Sequence, residues 1–461
     1  MEQIADEQIN ESDSMSMLQE INEKSIDPAS QIILHKAEQE GIETAWDRYE
    51  KQLPQCSFGQ LGICCRNCNM GPCRIDPFGE ATEKGICGAT ADIIVARNLL
   101  RTIAAGAAAH SDHARDAVLT FKKMSEGEAG SYTIKDKAKL LSIASEYGIL
   151  TTGKSREEIA SELADALLLE FGKQNGPLLC TRRAPEPRLK LWTELGIEPR
   201  GIDREIVECM HRTNMGVDNN ATHIRLHGLR TGLSDGWGGS MIATDVQDIL
   251  FGTPQPRRST VNLGVLSRDK VNVIIHGHEP IISEMIVEAS EDPELLKLAK
   301  EIGAAGINVA GICCTGNENL MRHGTQIVGT FLQQELAVIT GAVEAMVVDV
   351  QCIMLSLGDL AGCYHTKFIS TSPKTDFPGT VRMEFHEDRA YETAKKIVRI
   401  AVENFSSRNP EKVNIPKEKQ ECMVGFSAEA ILSALDGSPD PLIEANKKRD
   451  RLGSRCGCGL Q

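Results

Sequence analysis

The spacing of apolar residues changes near residue 255, and the change divides the chain. Before it, apolar positions recur at the three-to-four-residue interval of helices. After a polar leader, Gln31–Glu50 reads as one short helix around Trp46. Ala89–Met124 is rich in Ala, Leu, Ile and Arg and lacks proline, which predicts a long helix buried through its AAGAAA centre. Ser155 ahead of Glu157 and Glu158 marks a further helix start, and Ile159–Phe171 carries an apolar stripe. The glycine-rich run Asp235–Ser240 predicts a loop between helices.

Beyond residue 255 the pattern becomes short β-branched runs alternating with helical stretches. Val271–His276, Ile307–Ile312 and Ala345–Val350 read as buried strands, with a helix over Ile281–Ile302 between the first two. Thr366–Thr371 and Val381–Phe385 are two more strands, and Tyr391–Phe405 is an amphipathic helix. Asn409–Lys419 reads as a linker, and a new unit begins at Cys422. The expected fold class is therefore α plus α/β and multidomain. Residues 1–50 form a leader and helix, 51–254 a helical, cysteine-bearing domain, 255–412 a Rossmann-like parallel α/β domain, and 413–461 the start of a second α/β domain, cut short.

Composition narrows the class. At 461 residues, with 41% hydrophobic and 25% charged residues, the chain has room for two or three cores. A net charge of -15 argues against nucleic acid as a partner. The acidic start MEQIADEQINESDSM is not a secretory signal, and no apolar run has membrane-spanning length. Fifteen cysteines without an export signal point to a reducing cytoplasm and metal thiolates.

Six of those cysteines fall between Cys56 and Cys87. Cys65, Cys68, Cys73 and Cys87 match the three-near, one-distant spacing of a four-thiolate iron–sulfur cluster. Cys56 and Cys64 are left over, and the same pair from a second subunit would complete another cluster across a homodimer axis. Zinc sites usually pair two C-x2-4-C units, which this spacing does not offer, and disulfides would suit a secreted scaffold. Three successive strands end at metal-ligand types: His278, Cys313/Cys314 and Cys352. Parallel sheets bind ligands beyond their carboxyl edge, so the three point to a shared metal site. His110, His113 and Asp116 stand three apart on one helix face, where spacing alone favours an ordinary solvated or capped turn.

CCRNCNMGPCRI, GICGATADIIVARN, AAHSDHARD, DGWGGSMIATDVQDILFGTP, IIHGHEP, GICCTGNE and DVQCIM together resemble the anaerobic, nickel-containing carbon monoxide dehydrogenases of the prismane superfamily. The resemblance runs from about Trp46 to about Ala445. It implies oxidation of CO with water to CO2, with two electrons passing through [4Fe-4S] clusters to a ferredoxin-like acceptor. It also implies a cytoplasmic homodimer, and an acetyl-CoA synthase subunit as a further partner. Cys56 and Cys64 would hold the cluster shared across the dimer; Cys65, Cys68, Cys73 and Cys87 would hold the internal [4Fe-4S] cluster. His278 and Cys314 would hold the outlying iron of a Ni-Fe-S cluster, and Cys352 its iron–sulfur cage. His110 would be the active-site histidine and His113 the next step of a proton path. Cys313 is left as ligand, spare thiol or packing residue, and Cys180, Cys209, Cys363 and Cys422 as structural.

Family members continue with a further α/β domain that carries three more cysteine ligands and a lysine. The end of this sequence, SRCGCGLQ with Cys456 and Cys458, does not match that region. The expectation is a C-terminally truncated chain, on one account a frame change near Asp450, lacking the nickel ligands, poorly soluble and with little CO oxidation. The alternative is a non-catalytic iron–sulfur protein for electron transfer or dimerisation.

Overall fold

Seven short strands align parallel, and the central ones, apolar on both faces, are covered on both. The computed structural model describes residues 21–456 apart from 77, 80 and 81, so the first twenty residues of the leader and Cys458 lie outside it. The cysteine loop holds a two-stranded ladder, β1 (Cys64–Cys65) and β2 (Cys73–Arg74). The main sheet contains β3 (Arg257–Val261), β4 (Val271–Gly277), β5 (Ile307–Ile312), β6 (Gln326–Gly329), β7 (Ala345–Val348), β8 (Lys367–Ser370), β9 (Thr380–Arg382) and β10 (Gln420–Val424). Its order is β10-β3-β6-β5-β4-β7-β8-β9, with β10 alone antiparallel. The result is a mixed α/β multidomain fold around a mainly parallel sheet.

Alternation along β4 divides the interior. Val271, Val273 and Ile275 join a core with the helices Ile281–Ala289, Pro293–Glu301 and Ala390–Asn404, continuous with the helical part of the chain. Ile274 points to the opposite core, with Ile33 and Leu34 of Pro28–Gln39 and Leu336 of Gln334–Ile339. The long helix is present over Ala91–Ser125 and lies at the centre of the helical part. Ser155 and Glu158 form the capping box that opens Arg156–Gly172.

Several expected elements differ. Gln31–Glu50 is two helices, Pro28–Gln39 and Ala45–Glu50, separated at Gly41 with φ +66°. Both pack against the α/β sheet, where Lys36 Nζ donates to the Ile339 carbonyl and Arg48 pairs with Glu335. Ile281–Ile302 is likewise split, because Asp292 caps a new helix with Pro293 in its first turn. β3 and β6 were not expected: one carries two arginines and the other spans four residues, so neither has a clear strand signal. The new unit expected at Cys422 is instead β10, paired along its whole length with β3 of the same sheet. The expected linker before it is packed, with Val413 buried and Asn414 N–H donating to the Thr340 carbonyl.

The expected loop at Asp235–Ser240 is a π-helical turn, Asp235–Gly239, that joins Ala221–Ser234 to Ser240–Phe251 without a break. Its glycines serve close packing. A Cβ at Gly238 would sit 2.7 Å from Ile202 Cγ1, and one at Gly239 would sit 3.3 Å from the His110 backbone.

Gly238→Ala is therefore expected to destabilise the protein by about 1–3 kcal/mol in denaturant melts through overpacking. Gly232→Ala, six residues earlier with nothing within 4 Å of its Cβ position, should be neutral or stabilising. Equal effects from the two would contradict this packing.

Candidate metal centre and its surroundings

In the cysteine loop, antiparallel pairing sets Cys65 opposite Cys73. Cys65, Cys68, Cys73 and Cys87 line one cavity with Asn67 and Arg97. The chain wraps closely at two glycines, and Gly71 is the tighter of them. A Cβ at Gly71 would lie 3.1 Å from the Cys65 carbonyl, and one at Gly85 would lie 3.6 Å from Cys73 Sγ. Asn98 of the long helix ties the loop down by donating to the carbonyls of Gly62 and Cys64, at 2.9 and 3.0 Å. Cys56 and Cys64 do not line this cavity. Cys56 is exposed at the start of the short helix Ser57–Gln60, and Cys64 is half-buried on β1.

The second grouping lies at the carboxyl edge of the sheet. His278 follows β4, Cys313 and Cys314 open the helix Cys313–His323 after β5, and Cys352 follows β7. Three non-glycine residues here adopt left-handed backbone: Cys313 at φ 59°, Gln351 at 62° and Cys352 at 58°. Such strain persists only where the surroundings enforce it, and it gathers at functional sites.

The enforcing group is Asp349, buried at the end of β7. Its carboxylate accepts from His278 N–H at 2.6 Å and from Thr315 Oγ1 at 2.6 Å, and also from Val350 N–H. One side chain thus ties together the three loops that carry His278, Cys314 and Cys352. Gly277 must be glycine beside it: its φ is +139°, and a Cβ would overlap the Asp349 carboxylate. Burial pushes the Asp349 carboxyl up to about 7, against the pull of its hydrogen bonds.

Cys352 Sγ lies 3.9 Å from His278 Nε2. Burial, with neighbouring Cys352 and Cys314, pushes the Cys313 thiol up to about 12, and burial also raises Cys314 and Cys352. Cys313 packs against the second core, while Cys314 and Cys352 are exposed.

His110 faces this edge from the long helix, and its charge bears on His278. Its Nδ1 lies 2.8 Å from Asp235 Oδ1, a contact made by the π-helical turn, and that hydrogen bond raises the imidazole pKa. His113 is half-buried with Nε2 3.1 Å from Gln247 Nε2, while its buried Nδ1 has no partner. Burial pulls it down to about 4, with His110 and His278 adding to the effect, so it is neutral at pH 7. Alongside runs a cleft lined by Asp116, Glu279, Asp349 and Lys374. Lys374 bridges Asp112 and Asp116 at 2.5 and 2.9 Å.

Among the described residues, no three His, Cys, Asp or Glu side chains are arranged to hold a single metal ion. The four loop thiols surround a space rather than a point, which suits a cluster with bulk of its own. Two buried N–H donors on that cavity, Arg97 Nε and Asn67 Nδ2, have no partner in the protein. The donor set and these orphaned donors fit an iron–sulfur cluster. At the sheet edge, soft thiols beside an imidazole fit a metal–sulfur group.

Asp349, Thr315, Asp235 and Gln247 escaped the sequence reading as site residues. Asp349 had one available signal, as the lone acid closing the apolar run AMVV. Asp235 stood in what read as a loop.

Metal-ligand types at the ends of parallel strands, a cysteine-lined cluster cavity and a histidine-bearing helix define an iron–sulfur redox protein. The comparisons place it further: the chain belongs to the Prismane/CO dehydrogenase family, whose model matches residues 63–445. Its relatives there are carbon monoxide dehydrogenases, which are oxidoreductases. Carbon monoxide dehydrogenase 1 of Methanosarcina mazei is 83% identical over 429 residues, covering 93% of this chain and 68% of that protein. Carbon monoxide dehydrogenase 1 of Carboxydothermus hydrogenoformans is 47% identical, covering 91% and 66%. The crystal structure of the as-isolated, nickel-free carbon monoxide dehydrogenase from Thermococcus sp. AM4 superposes with a TM-score of 0.89 at 57% identity, covering 91% of this chain and 66% of that one. The chain thus spans about two thirds of the length of the relatives it matches.

Two outcomes are expected from this geometry. Thr315→Val should cost about 1–2 kcal/mol and Asp349→Ala about 2 kcal/mol or more in denaturant unfolding, since each leaves buried groups unpaired. Changes below about 0.5 kcal/mol in both would contradict the tie. Because Asp235 raises His110, their pairing contributes stability in full below the free-imidazole value of 6.5 and loses it as pH rises through the raised value. Asp235→Asn should move the His110 titration downward by NMR, and an unmoved titration would exclude the pairing.

Proposed function

We propose that this chain carries about two thirds of an anaerobic carbon monoxide dehydrogenase, an enzyme that oxidises CO with water to CO2. The observation that carries the reading is the convergence of His278, Cys314 and Cys352 at one sheet edge, tied by Asp349 and faced by His110. His278, Cys314 and Cys352 would hold a Ni-Fe-S cluster together with ligands C-terminal to the matched region. When bound, that group supplies CO binding, Lewis-acid activation of water and a first store for two electrons.

The protein's own residues manage protons. Asp235 holds Nδ1 of His110 and favours its protonated form, so the imidazole can take up a proton released at the edge. His113, neutral and with a free Nδ1, stands one helical turn further along the same face. A neutral imidazole can accept on one nitrogen and donate from the other, which suits it to the next relay step.

Cys65, Cys68, Cys73 and Cys87 hold an internal [4Fe-4S] cluster in this reading. Cys56 and Cys64, outside that cavity, supply half of a cluster shared across a homodimer. Electrons leave through these clusters to a ferredoxin-like acceptor in the cytoplasm. No helix among the described residues is long and apolar enough to cross a membrane. One relative is the beta subunit of a carbon monoxide dehydrogenase/acetyl-CoA synthase from Moorella thermoacetica, 41% identical, which supports an acetyl-CoA synthase subunit as a further partner.

The test is CO-dependent reduction of a viologen dye by anaerobically purified, metal-loaded protein. His110→Ala should lower the rate about 100-fold or more with nickel and iron content unchanged, as expected for loss of a proton-transferring group. A rate within a few-fold of the unaltered protein would remove His110 from the chemistry. Iron without nickel, and no CO-dependent dye reduction even in the unaltered protein, would favour the non-catalytic electron-transfer reading instead.

A further inference from the structure

The cavity lined by Cys65, Cys68, Cys73 and Cys87 contains more than thiols. Arg97, one turn beyond Ile94 on the long helix, reaches the same cavity with its side chain 1% exposed. Its Nη2 donates to the Asp218 carbonyl at 3.1 Å and to Asn219 Oδ1 at 2.9 Å, both neutral acceptors. The nearby Asp218 carboxylate is engaged elsewhere, accepting from Arg212 Nη1 at 2.7 Å and from Asn220 N–H at 2.8 Å. Arg97 Nε has no partner, and neither has Asn67 Nδ2 on the same cavity wall.

A guanidinium is always charged and carries five donors in a fixed fork. Burying it against neutral carbonyls, with Nε unmet, is costly unless the cavity supplies the missing acceptor and counter-charge. Four thiolates around an iron–sulfur core supply both: net negative charge, and sulfur atoms that accept hydrogen bonds. The two carbonyl-type contacts hold Nη2, and Nε is the fully buried donor left without a protein partner beside the cavity.

We propose that Arg97 and Asn67 donate N–H···S hydrogen bonds to the cluster held by the four loop cysteines and set its reduction potential. This rests on the ligand reading given under the proposed function. When the cluster takes up one electron its negative charge grows by one unit. Arg97 and Asn67 stabilise that reduced form more than the oxidised one, so the two donors raise the potential. The charge of Arg97 makes it the larger contributor, with Asn67 acting by hydrogen bonding alone. Both are positioning residues for an electron-transfer step and take no part in bond making.

The experiment is a redox titration of the full chain, purified without oxygen and loaded with iron and sulfide, followed by electron paramagnetic resonance. Cys68→Ala identifies the signal that belongs to this cavity. Arg97→Gln should lower the equilibrium constant for one-electron reduction about tenfold, a fall of about 59 mV in midpoint, with iron content unchanged. Arg97→Lys should recover most of the fall, because it restores the charge. Asn67→Ala should shift the same signal in the same direction by a smaller factor, and it decides the matter if Arg97→Gln does not fold. Unchanged midpoints in Arg97→Gln and Asn67→Ala, with the cluster present, would overturn the proposal while leaving the ligand reading intact. An iron content and signal unaffected by Cys68→Ala would overturn the ligand reading, and this proposal with it.

Discussion

A single buried carboxylate holds the reactive edge of the sheet together. Asp349 accepts from the backbone after β4, from Thr315 in the first turn after β5, and from the backbone after its own strand β7. Parallel strands cannot be joined by tight turns, so their ends are independent unless something connects them. Here the connection is electrostatic and buried, and it leaves little freedom around it. Gly277 has no room for a side chain, and Gln351 and Cys352 hold left-handed backbone. His278 and Cys352 are brought within reach of each other as a consequence.

The long helix Ala91–Ser125 relates this edge to the cysteine loop. Arg97 and Asn98 near its start touch the cluster cavity and the loop carbonyls, and His110 further along faces the sheet edge. Thirteen residues of helix separate Arg97 from His110, about 20 Å at 1.5 Å per residue. One rigid element therefore fixes the relation between the cysteine-lined cavity and the sheet edge. The π-helical turn at Asp235–Gly239 completes the second site by presenting a carboxylate to His110 across a close backbone approach at Gly239.

Much of this was legible in residue spacing. The cysteine loop, the long helix and the strand ends at His278, Cys314 and Cys352 were readable because each is a local pattern. What escaped was set by tertiary contact. The run DGWGGS reads as a loop by composition, yet its glycines are there for helix packing against Ile202, Leu178 and the His110 backbone. β10 read as the start of something new because its partner, β3, lies about 160 residues earlier and has no strand signal of its own. Asp349 is one acid among apolar residues, and only the folded chain shows three donors meeting on it. Gly41 and Pro293 were local signals that the helical period outweighed.

The most direct measurement is anomalous X-ray scattering at the iron edge from crystals grown without oxygen. Three iron-bearing positions are expected: one enclosed by Cys65, Cys68, Cys73 and Cys87, one at His278, Cys314 and Cys352, and one on the dimer axis at Cys56 and Cys64. Iron in the first place and nothing in the second would contradict the assignment of the sheet edge as the reactive centre.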